Sequence, residues 1–357
     1  MARTTIKDVS ERAGVSVGTV SNVLNAPHRV APDTRERVLQ VVSELGYRPN
    51  RTARGLQARR TYLIGYLLPA RELNVNTALD SFLHELVSTA SPHGLEVVLF
   101  APQPGQTELE GYRDLIRRGG VDGFVLSETN YDDPRIALLA GVGFPFVSFG
   151  RSLARDPFAW VDVDGATGIG DAVRHLLGAG HRRIALVAWP EGSESGDDRV
   201  AGYRRALTRA GVTPDPRLEV RCLNGVDQGK EAWRRLSLLD SPPTAVVAVQ
   251  DQLAIGVLLE AQSMALQLGV DLAVTGFDDT PAGALLGLSS VRQPLRDVCR
   301  LLVEHLVHRI EDPWADPGHD LVRPELVIRS SSGADVINSP RPWARSELHR
   351  YRRRHRR

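Results

Sequence analysis

The sequence predicts an α/β protein built on parallel sheets, preceded by a small three-helix headpiece. Three observations lead there. Apolar residues in the first sixty positions recur at three- and four-residue spacing; from residue 62 onward short apolar runs alternate with helical stretches; and charge divides along the same boundary. Residues 1–60 hold 11 Lys/Arg against 5 Asp/Glu, a net +6, and residues 341–357 hold 8 Arg against Glu347, a net +7. With +1 for the whole chain, the residues between them carry −12. A basic head attracts phosphates and an acidic body is repelled by them.

In the headpiece, Thr5 is placed to cap a helix and Asp8 to reach back to it, which approximates a capping box. Ile6, Val9 and Ala13 share one face, and Gly14 sits where the chain must bend. Ser16 caps a second helix, with Val20, Val23 and Leu24 inward and Val17, Gly18, Ser21 and Asn22 outward. That is the pattern of a helix-turn-helix presenting its second helix to a major groove; a generic helical hairpin is the alternative. Pro32 to Tyr47 predicts a third helix whose Val38, Leu39, Val42 and Leu45 close the core. Arg48 to Thr61 is basic and short of core residues, a linker suited to phosphate.

In the body, the strand-like runs LIGYLL, LEVVLF, GFVL and FPFVSF alternate with the helical stretches Leu79–Thr89, Leu109–Arg117 and Arg135–Ala140. After Trp160–Asp164 the alternation resumes: Ile169–Leu177, RRIALV, Val200–Ala210, LEVRCL, Lys230–Leu239, AVVAV, Leu253–Leu266 and DLAVTGF. Two successive sets of βα units imply two lobes, each with a parallel sheet covered on both faces, and a ligand cleft at the carboxyl ends of the strands.

Enzymatic patterns fail one by one. Gly165 to Gly170 (GATGIG) follows a strand and opens a helix, yet its spacing is not a dinucleotide fingerprint, and Lys230 has Val226 where a short-chain dehydrogenase needs Tyr. G-x-S-x-G, P-loop and H-E-x-x-H motifs are absent. His175 and His181 are six apart and read as structural polar groups. The pairs Asp132-Asp133, Asp197-Asp198 and Asp278-Asp279 read as solvated turns and a ligand clamp, because adjacent carboxylates do not face each other across a bond. Cys222 and Cys299 form no disulfide or zinc pattern. No catalytic set, metal or cofactor is expected. An uncharged apolar run of membrane-spanning length and an apolar leader are also missing, so a cytoplasmic protein is expected.

The stretches TIKDV, AGVSVGTVSNVLN, TRERV, LGYRPN, VDGFVL, GHRRIALV, VTGFDD and PELVIRSSSG together resemble the LacI/GalR family of bacterial transcriptional repressors, over residues 4 to about 333. The resemblance implies a headpiece over residues 1–60 with a hinge helix at about 50–58, then a periplasmic-binding-protein-like body over 61–335. Its first lobe would take about 61–160 and 292–322, its second about 162–290 and 325–335, with crossings near Trp160–Asp164, Ser290–Pro294 and Leu321–Leu326. Residues 336–357, with no leucine heptads, would be a disordered basic tail.

The same resemblance assigns DNA contacts. Val17, Gly18 and Asn22 match base-reading positions; Thr5, Ser16, Thr19, Ser21, Asn25, Arg29, Thr34, Tyr47 and Asn50 match backbone-contact positions. Ala53 to Ala58 matches a hinge helix that folds on operator, with Leu56 as a minor-groove wedge, which implies a homodimer on a pseudo-palindrome. Ala31 replaces the usual serine cap before the third helix.

For a small effector, the resemblance points to Arg199 and Asp278, with Gln250, Asn224, Asn76, Arg151 and Trp189 around them; Asp251 matches a helix-capping position. A surface pair with Asp197 or Asp198 is the alternative for Arg199. The aromatic platform of the family is missing at Asn76-Thr77-Ala78-Leu79 and at Asn224, and Trp189 or Trp160 would have to supply a ring. A carbohydrate effector is expected, in an unusually polar pocket. A non-sugar corepressor and a sugar-binding protein with a vestigial head are the alternatives.

Overall fold

The computed structural model describes residues 4–25, 27–47, 60–68, 77–153 and 157–333. Two compact units follow one another, Met1–Tyr62 and Leu63–Arg357. In the first, helix α1 (Ile6–Ala13) starts at a full capping box: Thr5 Oγ1 accepts the Asp8 N–H at 3.4 Å and the Asp8 carboxylate accepts the Thr5 N–H at 2.7 Å. That backbone bond holds the Asp8 carboxyl below its ordinary pKa. Gly14, at φ +63°, ends the helix in the left-handed conformation. Ser16 Oγ then accepts the Thr19 N–H at 3.0 Å and caps α2 (Val17–Asn25). Helix α3 (Pro32–Glu44) starts at Ala31 with no side-chain cap, Pro32 presetting its first turn.

Val9, Ala13, Val20, Val23, Val38, Val41 and Tyr47 form the headpiece core. Leu39, expected in this core, is not part of it. Leu39 is 46% exposed, and Val41 takes the inward place, because the stripe runs from Val38 by three residues to the next turn.

The second unit has two lobes. In lobe 1, β1 (Leu63–Leu67), α4 (Thr77–Ala90), β2 (Glu96–Phe100), α5 (Glu108–Arg117), β3 (Gly123–Leu126), α6 (Pro134–Gly141), β4 (Phe146–Phe149) and β5 (Ala159–Val163) follow in order. Lobe 2 continues with α7 (Gly165–Gly178), β6 (Ile184–Ala188), α8 (Glu194–Arg209), β7 (Glu219–Arg221), α9 (Val226–Ser237), β8 (Ala245–Ala248), α10 (Asp251–Ser263), β9 (Ala273–Phe277), α11 (Pro281–Leu285) and β10 (Ser289–Arg292). The chain returns to lobe 1 for α12 (Leu295–Glu311) and β11 (His319–Val322), and to lobe 2 for β12 (Glu325–Val327).

The first sheet has the order β11-β5-β4-β3-β1-β2 and is parallel throughout; the second has the order β12-β10-β9-β8-β6-β7, with only β12 antiparallel. Helices cover both faces, which is why β6, β8 and β9 are buried along their whole lengths. The chain therefore crosses between lobes at Asp164, at Gln293-Pro294 and at residues 323–324. Asp164 caps α7 at the first crossing, its carboxylate accepting the Thr167 N–H at 2.8 Å.

The glycine run at 165–170 lies inside α7 and serves close packing. A Cβ on Gly165 would stand 2.9 Å from Arg199 Cγ, and one on Gly202 of α8 would stand 2.2 Å from the Ala166 carbonyl oxygen. Helices α7 and α8 thus touch backbone to backbone, and that contact fixes where Arg199 emerges.

Candidate functional site

On the headpiece, Val17 is 42% exposed, and Gly18 and Asn22 lie exposed beside it on α2. Ser16 and Thr19 hydroxyls are joined at 2.9 Å on the same end of the helix. Thr5 and Arg29 are exposed, Ser21 and Thr34 half-buried, and Asn25 closes α2. Tyr47 is different: at 8% exposure it is a core residue, leaving little of its ring to reach a phosphate. Asn50, Ala53 and Leu56 lie outside the described residues.

The cleft is built from strand ends. Trp189 follows β6, Gln250 follows β8, Asp278 follows β9 and Gln293 follows β10, so these residues stand at the carboxyl ends of four neighbouring strands of the lobe 2 sheet. Arg199 comes from α8, which starts at Glu194, where Ser193 Oγ accepts the Gly196 N–H at 3.2 Å. The earlier start places Asp197 and Asp198 on the helix and corrects their reading as turn residues.

Arg199 is 7% exposed. Its guanidinium lies 3.7 Å from the Phe277 ring centroid and 4.9 Å from that of Trp189, and Nη1 donates to the Val249 carbonyl at 2.6 Å. Neither Asp197 nor Asp198 pairs with it. Asp197 accepts from Tyr131 Oη at 2.9 Å and Arg221 Nη1 at 3.1 Å, and Asp198 accepts from Arg151, so the surface-pair alternative is overturned. Burial pushes the Arg199 pKa down, while the Asp278 and Asp162 carboxylates push it up. An arginine stays charged under such opposed shifts.

Asp278 holds φ +113° and Asp279 φ +51°, both in the region L-residues rarely adopt. The twist sends the two carboxylates to different places. Asp278 Oδ1 accepts from Gln293 Nε2 at 2.6 Å, whereas Asp279 accepts from Arg292 Nε at 2.7 Å and pairs with Arg329 at 2.7 Å. Burial raises the Asp278 pKa, with Arg199 acting against it and the Gln293 and Gln250 side chains helping to hold it down. Asp251, fully buried at the start of α10, shapes this turn: it accepts from the Thr280 N–H at 2.7 Å, Thr280 Oγ1 at 2.8 Å and Ser290 Oγ at 2.6 Å. Burial pushes its carboxyl up to about 7. It caps the neighbouring α11 region through Thr280 instead of its own helix.

The other expected residues divide. Gln250 is buried beside Asp278, and Asn224 Nδ2 donates to Gln252 Oε1 at 3.0 Å. Arg151, from lobe 1, is spent on three carboxylates: Asp162 at 2.9 Å, Glu194 at 3.4 Å, and Asp198. Those last two belong to α8, so Arg151 and the Tyr131–Asp197 bond tie the lobes together at the cleft edge. Trp160 cannot serve as a free platform, since His319 stacks on it at 5.0 Å and Arg151 lies 5.8 Å away. Asn76 lies outside the described residues. His175 and His181 are indeed structural, bonded to Ser332 Oγ and Thr244 Oγ1 at 2.9 Å each, with burial lowering His181 to about 4. A cavity of about 470 Å³ opens at the ends of β1 and β3, lined by Thr107, Glu108, Ser127, Glu128 and Asn130, where the strand order of lobe 1 reverses.

Sequence reasoning missed Phe277, Gln293, Tyr131 and Asp162. Phe277 and Gln293 had a signal, since each adjoins a strand end already assigned to the cleft. Tyr131 and Asp162 had none, because they matter through contacts with α8, over thirty residues away in the chain.

Residues 5–50 match the bacterial regulatory proteins of the lacI family, and residues 173–332 match the periplasmic-binding-protein-like domain. The HTH-type transcriptional regulator AglR of Rhizobium meliloti (strain 1021) is 33% identical over 345 residues, covering 94% of this chain and 96% of the relative. This chain belongs to the lacI family. Among solved structures, a transcriptional regulator CelR–cellobiose complex is 31% identical, covers 92% of this chain and 100% of its own, and superposes with a TM-score of 0.70. The lac repressor dimer bound to operator and the anti-inducer ONPF is 27% identical, with 93% and 100% coverage and a TM-score of 0.74. As a lacI-family protein the chain is a helix-turn-helix transcriptional regulator, and the family is one of regulators, not enzymes. No helix among the described residues is long and apolar enough to cross a membrane.

Proposed function

We propose that this regulator is a cytoplasmic repressor that binds a pseudo-palindromic operator as a homodimer and responds to a small, uncharged carbohydrate in the cleft of its body. The observation that carries the effector assignment is the buried Arg199 guanidinium of α8 lying over Phe277, whose neighbour Asp278 at the end of β9 acts on the same cation: one donor fork and one acceptor, which suits adjacent hydroxyls. Two carboxylates, Asp278 and Asp162, already act on the one Arg199 cation. A phosphate or carboxylate ligand would meet their repulsion, and a neutral sugar would not. The CelR relative, solved with cellobiose, supports the same class.

In the headpiece, Val17, Gly18 and Asn22 read base edges, and Thr5, Ser16, Thr19, Ser21, Asn25, Arg29 and Thr34 hold the backbone. Gly18 offers no side chain, so direct readout is modest and the phosphate contacts matter more. Leu56 wedges the central step of the minor groove, and unstacking it costs a few kcal/mol, shared between two subunits. Sugar binding closes the lobes and disfavours the paired hinges, with a coupling of about 1 to 3 kcal/mol. The test is Leu56→Ala in gel-shift titrations of a selected operator: weaker binding supports the hinge assignment and unchanged affinity overturns it. Cellobiose and other neutral sugars that raise the melting temperature of the full chain support the effector class; a rise only with phosphorylated or carboxylated metabolites overturns it.

A further inference from the structure

Among the described residues, three buried polar atoms on the lobe 2 wall have no hydrogen-bond partner: Arg199 Nε, Trp189 Nε1 and Asp278 Oδ2. Each such atom costs about 1–3 kcal/mol unless something satisfies it, and native folds retain few of them. Arg199 links the three. Its guanidinium lies against the Trp189 ring at 4.9 Å and within the field of Asp278. Two donors and one acceptor are therefore unmatched around one cation.

The Trp189 ring itself is not an open stacking surface. Arg199 lies over it, and its Cε3 edge is close enough to Gly196 that a Cβ there would stand at 3.3 Å. What Trp189 has left to offer is its N–H. Its backbone is fixed independently, since the Trp189 carbonyl accepts from Arg221 Nη1 at 3.0 Å. Ring and backbone are thus both held while the one polar atom of the indole is unused.

We propose that Trp189 is a specificity-determining residue of the effector site, donating its indole N–H to a ligand oxygen beside the one held by Arg199 Nε. Asp278 Oδ2 accepts from a neighbouring ligand hydroxyl. The ligand class that matches two donors and one acceptor is a neutral polyol presenting an accepting oxygen next to a donating hydroxyl. This inference rests on the neutral-carbohydrate reading above.

The test uses the full chain, with cellobiose as first probe and other neutral mono- and disaccharides after it. Trp189→Phe keeps an aromatic ring under Arg199 and removes the donor together with part of the indole surface, and the deoxy-analogue comparison below separates the two. For a sugar that binds the wild type, the affinity of W189F should fall roughly tenfold, the loss of one hydrogen bond. A monodeoxy analogue lacking the accepting oxygen should bind the wild type roughly tenfold more weakly and should lose nothing further in W189F. In nitrogen-labelled protein, one of the five indole resonances should shift on sugar addition, and it should be the one missing from W189F. That resonance, assigned from the other four Trp→Phe variants if W189F does not fold, keeps the test open. Equal affinities of W189F and wild type, or a Trp189 resonance that does not move when sugar binds, overturn the inference. Failure of the wild type to bind any neutral sugar overturns the carbohydrate reading instead.

Discussion

Replacing Asp251 with Asn should stabilise the body at neutral and alkaline pH, although it removes a charge from a residue with three hydrogen bonds. The carboxyl is fully buried and raised from 3.8 to about 7, burial being the larger cause and the Asp278 charge the next. A carboxyl raised in the fold binds its proton more tightly there than in the unfolded chain. Stability from it is complete below about pH 3.8 and is lost as pH rises to about 7. At 1.36 kcal/mol per unit, about three units give a loss of about 4 kcal/mol at pH 8. The neutral amide of D251N escapes that loss. Its oxygen can keep the Thr280 bonds, and its NH₂ can donate to Ser290 if that hydroxyl turns, a rearrangement costing about 1 kcal/mol. A net gain of about 3 kcal/mol is expected at pH 8, shrinking to nothing or below near pH 4. Urea unfolding of both proteins across pH 4 to 8 measures it. A D251N variant destabilised by the same amount at every pH would show that the reasoning is wrong.

Three further outcomes are expected. Asp278→Asn should weaken binding of a sugar that binds the wild type by about 10- to 150-fold, because a charged acceptor contributes about 1.5–3 kcal/mol; calorimetry showing less than a threefold change would count against Asp278 as a ligand group. Ala31→Ser should supply the missing cap of α3 and add about 1 kcal/mol to the headpiece, read as slower amide exchange in α3, with unchanged exchange contradicting it. Gly202→Ala would set a Cβ 2.2 Å from the Ala166 carbonyl, so α7 and α8 must separate; a loss of about 1–3 kcal/mol in urea is expected, and an unchanged midpoint would mean the helices are not so close.

The architecture was legible because its signals are local. Strand runs such as AVVAV and the IALV of RRIALV are apolar on both faces, Gly14 marks a bend, and Thr5 with Asp8 marks a helix start. Periodicity failed where neighbouring apolar residues compete for one inward position, as Leu39 and Val41 do. In the cleft, Arg199 and Asp278 were found through a resemblance, but their surroundings were not. That Phe277 and Trp189 flank the guanidinium depends on α8 lying against Gly165, a contact between segments more than thirty residues apart. The opposite fates of Asp278 and Asp279 depend on two positive φ angles that no periodicity announces. Arg151 reads as available to a ligand only until its three carboxylate partners are in place.

Selection from random duplex DNA by this chain, followed by titration of the winner with neutral sugars, tests whether a sugar cleft governs the DNA reader. An enriched pseudo-palindrome bound by two subunits is expected, with an affinity that changes about 5- to 150-fold with one neutral sugar. No enriched sequence, or an enriched one whose binding no neutral sugar changes while an anionic metabolite does, would contradict it.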